Sequence, residues 1–200
     1  MLDLKGNKGK ILGILYSSPD RDYYMQELGR ILGKKPGVFQ KALEALTKDG
    51  ILKSEYRANA RFFRVNEEYP LYVELKSIVK KTSGVIPEIQ SVISAMKGVK
   101  FAFIYGSYAK GKENSASDID IFLVGGTDDG KLLKAMEKLE SKFTREINYK
   151  IIPQKELLSS LKEKDPFILS IFSDKIIMLK GGEDEFRGIF NTKSRKESKS

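Results

Sequence analysis

"FIYGSYAKGKENSASDIDIFLV", residues 103–124, sets Asp118 and Asp120 one residue apart against an otherwise apolar run. Side chains of an extended strand alternate, so both carboxylates share one face while Ile119 and Ile121 take the other. Two strand positions on one face lie roughly 6.5 Å apart. Two negative charges at that separation repel by roughly 2–3 kcal/mol at an effective dielectric near 20. Folding gains nothing from this alone, and burial makes it worse. A divalent cation between the carboxylates reverses the sign. Mg2+ is the natural choice because it takes oxygen ligands.

The same stretch carries Gly106-Ser107 where the run "VKFAFIYG" ends and a helix is expected to begin. Glycine lets backbone amides approach a phosphate, a helix start favours its charge, and Ser107 adds a hydroxyl donor. A lone Gly-Ser or a lone Asp-x-Asp says little. Together, a short loop apart, they describe a metal–nucleotide site. The plain alternative for the aspartates is a solvated strand, which the flanking "IFLV" opposes.

Composition narrows the chemistry. The 200-residue chain has no Cys and no His. Disulfides, thiolate metal sites and imidazole bases are therefore excluded, leaving carboxylates, hydroxyls, lysines, backbone amides and hard cations. At 40% hydrophobic the chain can bury a core. No apolar run approaches the ~20 residues of a membrane span, and "MLDLKGNKGK" lacks the apolar segment of a signal peptide. A soluble cytoplasmic protein is expected. The net charge of +9 is uneven: residues 1–83 hold 16 Lys and Arg against 10 Asp and Glu, residues 84–192 hold 16 of each, and 193–200 hold 4 against 1. The first segment has the balance of a polyanion binder.

Two domains are expected, α+β overall. Residues 1–68 read as three helices and a hairpin. Ile11, Leu12, Ile14 and Leu15 form one helical stripe, and Met25, Leu28, Ile31 and Leu32 in "DYYMQELGRILG" form a second. After the basic turn "GKKPG", a helix from Pro36 to Lys48 buries Phe39, Ala42, Leu43 and Leu46 and stops at Asp49-Gly50. "ILKSEYRANARFFRV" alternates on both sides of a turn at Ala58-Asn59-Ala60. Residues 69–97 read as a helical connector, with stripes at Leu71, Leu75, Ile78 and Val79 and at Ile86, Ile89, Val92 and Ile93. They join the domains or form a dimer seam, so a homodimer enters as an expectation. Residues 98–190 alternate strands and helices, with Leu132, Leu133, Met136, Leu139 and Phe143 expected inward on one helix. Residues 191–200 read as a disordered basic tail.

The order helix, helix, short turn, helix, hairpin over residues 7–66 resembles a winged helix-turn-helix. That resemblance implies DNA binding, with Lys34, Lys35, Gln40 and Lys41 toward a major groove and Arg57, Asn59 and Arg61 at the wing tip. A winged helix used only for protein contacts is the alternative.

"GSYAKGKENSASDIDI" resembles the signature of the nucleotidyltransferase superfamily with the DNA polymerase beta-like fold, small prokaryotic type, over about residues 95–155. The resemblance implies an α/β domain with a small mixed sheet, and transfer of an NMP from an NTP, with ATP the expected one, to an acceptor using two Mg2+ ions. The family's metal carboxylates map onto Asp118 and Asp120, and its nucleotide-binding pair onto Gly106 and Ser107. Lys110 stands where many members carry Arg, which keeps the charge and loses a bidentate phosphate grip. The family's third carboxylate, metal ligand and general base, is assigned to Glu146 in "TREINYKII". Asn148 and Lys150 share its face. The acceptor is expected to be macromolecular, a toxin or other protein among the candidates. The competing reading is a DNA-binding transcription regulator whose second domain only senses nucleotide. A purely structural module would leave the acidic pair unexplained.

Overall fold

The computed structural model describes residues 4–111 and 117–189. The basic tail and residues 112–116 of the glycine-serine loop lie outside the described residues. The chain divides into two compact units, Met1–Glu88 with Lys138–Arg145, and Ile89–Glu137 with Glu146–Ser200. Among the described residues no helix is long and apolar enough to cross a membrane.

In the first unit, helix α1 (Gly6–Leu15) buries Ile11, Leu12, Ile14 and Leu15 completely. A side chain at Gly13 would meet the Ser83 carbonyl oxygen at 1.9 Å, so only glycine allows this close approach. Two residues follow as a short strand, β1 (Tyr23–Tyr24), ahead of α2 (Met25–Leu32). The sequence pattern places both tyrosines in the helix. Aromatic side chains suit a pleated surface, and here they meet Phe63 and Phe62 on a strand far along the chain. The expected helix from Pro36 is also interrupted. Pro36–Val38 form a 3-10 turn, Phe39 leaves helical geometry at φ −123°, and α3 runs Gln40–Lys48.

Phe39, Leu43 and Leu46 are fully buried, whereas Ala42 is only partly so. The hairpin β2 (Leu52–Arg57) and β3 (Ala60–Val65) turns at Ala58-Asn59, and the sheet order is β1-β3-β2. Helix α4 (Tyr72–Thr82), from the stretch expected to be a connector, puts Leu75 and Val79 into this core. Leu71, just ahead of it, and Ile78 stay 53% and 46% exposed, so the apolar stripe is narrower than expected.

The remaining elements are α5 (Val85–Ser94), β4 (Val99–Tyr105), α6 (Gly106–Lys110), β5 (Ile119–Gly125), α7 (Asp129–Phe143), β6 (Ile147–Ile152), α8 (Gln154–Lys162), α9 (Pro166–Ser173) and β7 (Ile177–Lys180). The four strands form a mixed sheet, β6-β5-β4-β7, parallel between β5 and β6 and antiparallel elsewhere. A parallel neighbour requires a crossover, which α7 supplies. On α7, Leu132, Met136, Leu139 and Phe143 are buried at i, i+4, i+7 and i+11, but Leu133 is 48% exposed. It sits about 100° round the helix from Leu132, off the stripe.

One sheet face carries Phe101, Phe103, Phe122, Val124 and Ile152, clustered with Leu157, Leu161, Ile168, Ile171 and Phe186. Ile104, Ile121 and Leu123 on the other face are buried too. Burial on both faces explains why "IFLV" is continuously apolar. Phe103 stacks on Phe122 with centroids 5.5 Å apart.

Candidate active site

The end of β4 and the starts of β5 and β6 meet at one edge of the mixed sheet. Antiparallel pairing sets Asp120 beside Tyr105, and parallel pairing sets it beside Asn148. These three form the last row of the face. The next row inward is Phe103, Phe122 and Lys150. The face thus changes from aromatic to polar within one strand repeat. Asp118 lies just before β5, abreast of Glu146, because the Ile119 N–H donates to the Glu146 carbonyl at 2.9 Å. The Asn148 Nδ2 lies 3.4 Å from Asp118 Oδ2, a long hydrogen bond.

The electrostatics reflect this crowding. Burial pushes the Asp120 carboxyl above its ordinary range, the Asp118 charge pushes it further, and the Asn148 amide partly offsets both. Burial, then the Asp120 charge, raises the Tyr105 phenol. Among the described residues neither aspartate pairs with a lysine or arginine. Lys110 pairs instead with Asp174 at 2.7 Å, and the Lys150 ammonium lies over the Phe167 ring at 4.8 Å.

Gly106 begins α6 with φ +72°, and a side chain there would meet Asp120 Oδ2 at 2.9 Å. Its conformation favours glycine, and a side chain would push the Asp120 carboxylate aside. The Gly106 backbone therefore lies against the Asp120 carboxylate. Ser107 is exposed, and α6 is only five residues long before Gly111 turns left-handed.

Glu146 is exposed and precedes β6 by one residue. Among the described residues no three acidic side chains gather closely enough to hold a metal ion. The expected trio of Asp118, Asp120 and Glu146 is therefore not drawn together, and the residue abreast of Asp120 is Asn148. Two carboxylates that repel, a neighbouring amide able to turn its oxygen toward them and a backbone turn against one carboxylate fit a single hard divalent cation. The place of Tyr105 beside Asp120 comes from the β4–β5 register, which no local pattern announces.

In the first unit, the residues expected to contact DNA are mostly engaged already. Arg57 hydrogen-bonds Asp22 at 2.6 Å, pairs with Glu55 and lies over the Phe62 ring. Arg61 bonds Ser54 and lies over Phe63. Lys34 donates to Asn7 at 2.6 Å, and Gln40 to Glu44 at 2.8 Å. Lys35, Lys41 and Asn59 are exposed.

Residues 87–181 match the family model described as Polymerase beta, Nucleotidyltransferase. The chain carries a nucleotidyltransferase-type domain. The match spans all four strands of the mixed sheet and every residue of the Asp120 row. Among solved structures, a toxin-antitoxin crystallised with AMP-PNP is similar at 13% identity and TM-score 0.38, over 56% of this chain and 86% of that one. A mutant of the toxin-antitoxin MntA-HpeT is similar at 12% identity and TM-score 0.36, with the same coverage. No curated protein matches the chain.

Proposed function

We propose that the chain transfers a nucleoside monophosphate from an NTP, ATP being the first to try, to a hydroxyl on a macromolecular acceptor. The observation that carries this reading is the carboxylate pair, crowded by burial and like charge, with the Gly106 turn fitted against it. Asp118 and Asp120 would hold Mg2+. When bound, the cation supplies charge neutralisation on the triphosphate and a lower pKa for the acceptor hydroxyl. Backbone amides at Gly106 and Ser107, with the Ser107 hydroxyl, donate to phosphate oxygens. Glu146, exposed beside Asp118, takes the acceptor proton as the attacking oxygen reaches phosphorus and pyrophosphate leaves. Lys110 reaches the triphosphate only by leaving Asp174. That exposed ion pair is worth about 0–1 kcal/mol, so the exchange is cheap.

For the first unit we propose a winged helix-turn-helix that binds DNA, with α3 as the recognition element. Its support is the element order together with the positive balance of residues 1–83. A DNA-binding regulator that only senses nucleotide is the second reading, favoured because, among the described residues, no third acidic side chain joins the pair closely enough to hold a metal ion. One assay separates them. The full chain is incubated with Mg2+, labelled NTP and cell extract, and both pyrophosphate and labelled acceptor are followed. Transfer that falls on the order of 10³-fold in Asp118→Ala and Asp120→Ala supports the enzyme, matching the several kcal/mol a metal-held charge clamp supplies. Nucleotide binding without turnover, coupled to a changed DNA affinity, supports the sensor.

A further inference from the structure

We propose that Asn148 is the neutral third arm of the cation site and sets its charge so that the nucleotide-free chain holds one divalent cation, not two. The inference rests on the reading of Asp118 and Asp120 as the cation-binding pair. The parallel register places Asn148 abreast of Asp120. Its amide reaches Asp118 Oδ2 at 3.4 Å. One neutral side chain thus bonds one member of a doubly negative pair and stands abreast of the other. An amide has a donor end and an acceptor end. Facing bare carboxylates it offers Nδ2. Once a cation sits between them, a half-turn of the amide offers Oδ1, a hard oxygen of the kind such cations accept. Glu146 does not supply a third charge at this place, because no three acidic side chains gather among the described residues. The pair alone therefore balances one divalent ion. A second ion arrives only with the negative charge of the triphosphate.

The test is Mn2+ binding to the full chain without nucleotide, counted by electron paramagnetic resonance. The wild-type chain is expected to take up one ion. Asn148→Asp should bind a second ion, or tighten the first at least tenfold. Asn148→Leu, which removes both amide ends at similar size, should weaken binding roughly 10–100-fold. Two tight ions in the wild-type chain would overturn the proposal without any variant. So would Asn148→Asp and Asn148→Leu variants that fold and bind as wild type does. The transfer assay run in parallel keeps the two readings apart. Transfer with unaltered Mn2+ counts in the variants refutes the role of Asn148 and leaves the enzyme standing. The expected counts without transfer support Asn148 and refute the enzyme. No Mn2+ uptake by the wild-type chain refutes both.

Discussion

The charged side chains of the two units are satisfied to different degrees. In the first unit, Arg57 has Asp22 and Glu55, Arg61 has Ser54, and Lys34 has Asn7. A polyanion would have to displace these partners or use exposed lysines such as Lys35 and Lys41. In the second unit, Asp118 and Asp120 share one strand face, partly buried, with the Asn148 amide bonded to Asp118 and no cationic partner among the described residues. A partnered surface charge is inexpensive and says little about function. A crowded pair of like charges is costly, and the fold retains it beside an aromatic core.

Perturbing the support of that pair gives the largest expected effect. Phe122→Ala empties the centre of the aromatic face two residues from Asp120. It should cost about 3–5 kcal/mol in a denaturant melt. A loss under about 1 kcal/mol would mean that the aromatic layer does not anchor the acidic row. Glu146→Gln comes next. With the carboxylate acting as base, transfer should fall about 10²-fold, the low end for a general base. Mn2+ uptake should stay unchanged. Weaker Mn2+ uptake instead would make Glu146 a ligand and restore the acidic trio.

How much of this is legible in the sequence follows from which forces act locally. The alternation in "DIDI" and the 3.6-residue stripe of α7 mark those elements directly. The shared face of Asp118 and Asp120 follows from the same alternation. Strand β1 escapes a local reading because two tyrosines extend only where β3 offers them a partner. Leu133 is misplaced when apolar residues are counted and angles are not. The choice between Glu146 and Asn148 is the instructive case. Both sit on one face of the strand, so parity cannot separate them. Only the parallel register, set by the α7 crossover, decides which one stands beside Asp120.

Smaller effects sharpen the contrast. Asp120→Asn removes the crowded charge and should stabilise the fold by about 1 kcal/mol at neutral pH, after discounting for solvent screening. The sign follows from the raised carboxyl. A carboxylate whose pKa rises on folding penalises the native state where it is ionised. The penalty disappears as pH falls below the ordinary carboxylate range, where folded and unfolded chains both carry the proton. Thermal melts of wild type and Asp120→Asn should therefore differ at pH 7 and converge in acid. Equal melts at pH 7 would remove the crowding argument. In the first unit, Lys35→Ala and Lys41→Ala should each weaken binding to duplex DNA by a few-fold. Each should also lower the salt slope by about 0.9, as expected when the protein neutralises one phosphate fewer. Unchanged slopes would place the DNA surface elsewhere or nowhere.

The most direct measurement is equilibrium binding of labelled ATP to the full chain, with and without Mg2+, for wild type and for the Asp118→Ala, Asp120→Ala double variant. The account predicts binding that requires Mg2+ and disappears in the double variant while the melt stays cooperative. ATP bound equally well without the cation, or equally well by the double variant, would contradict it.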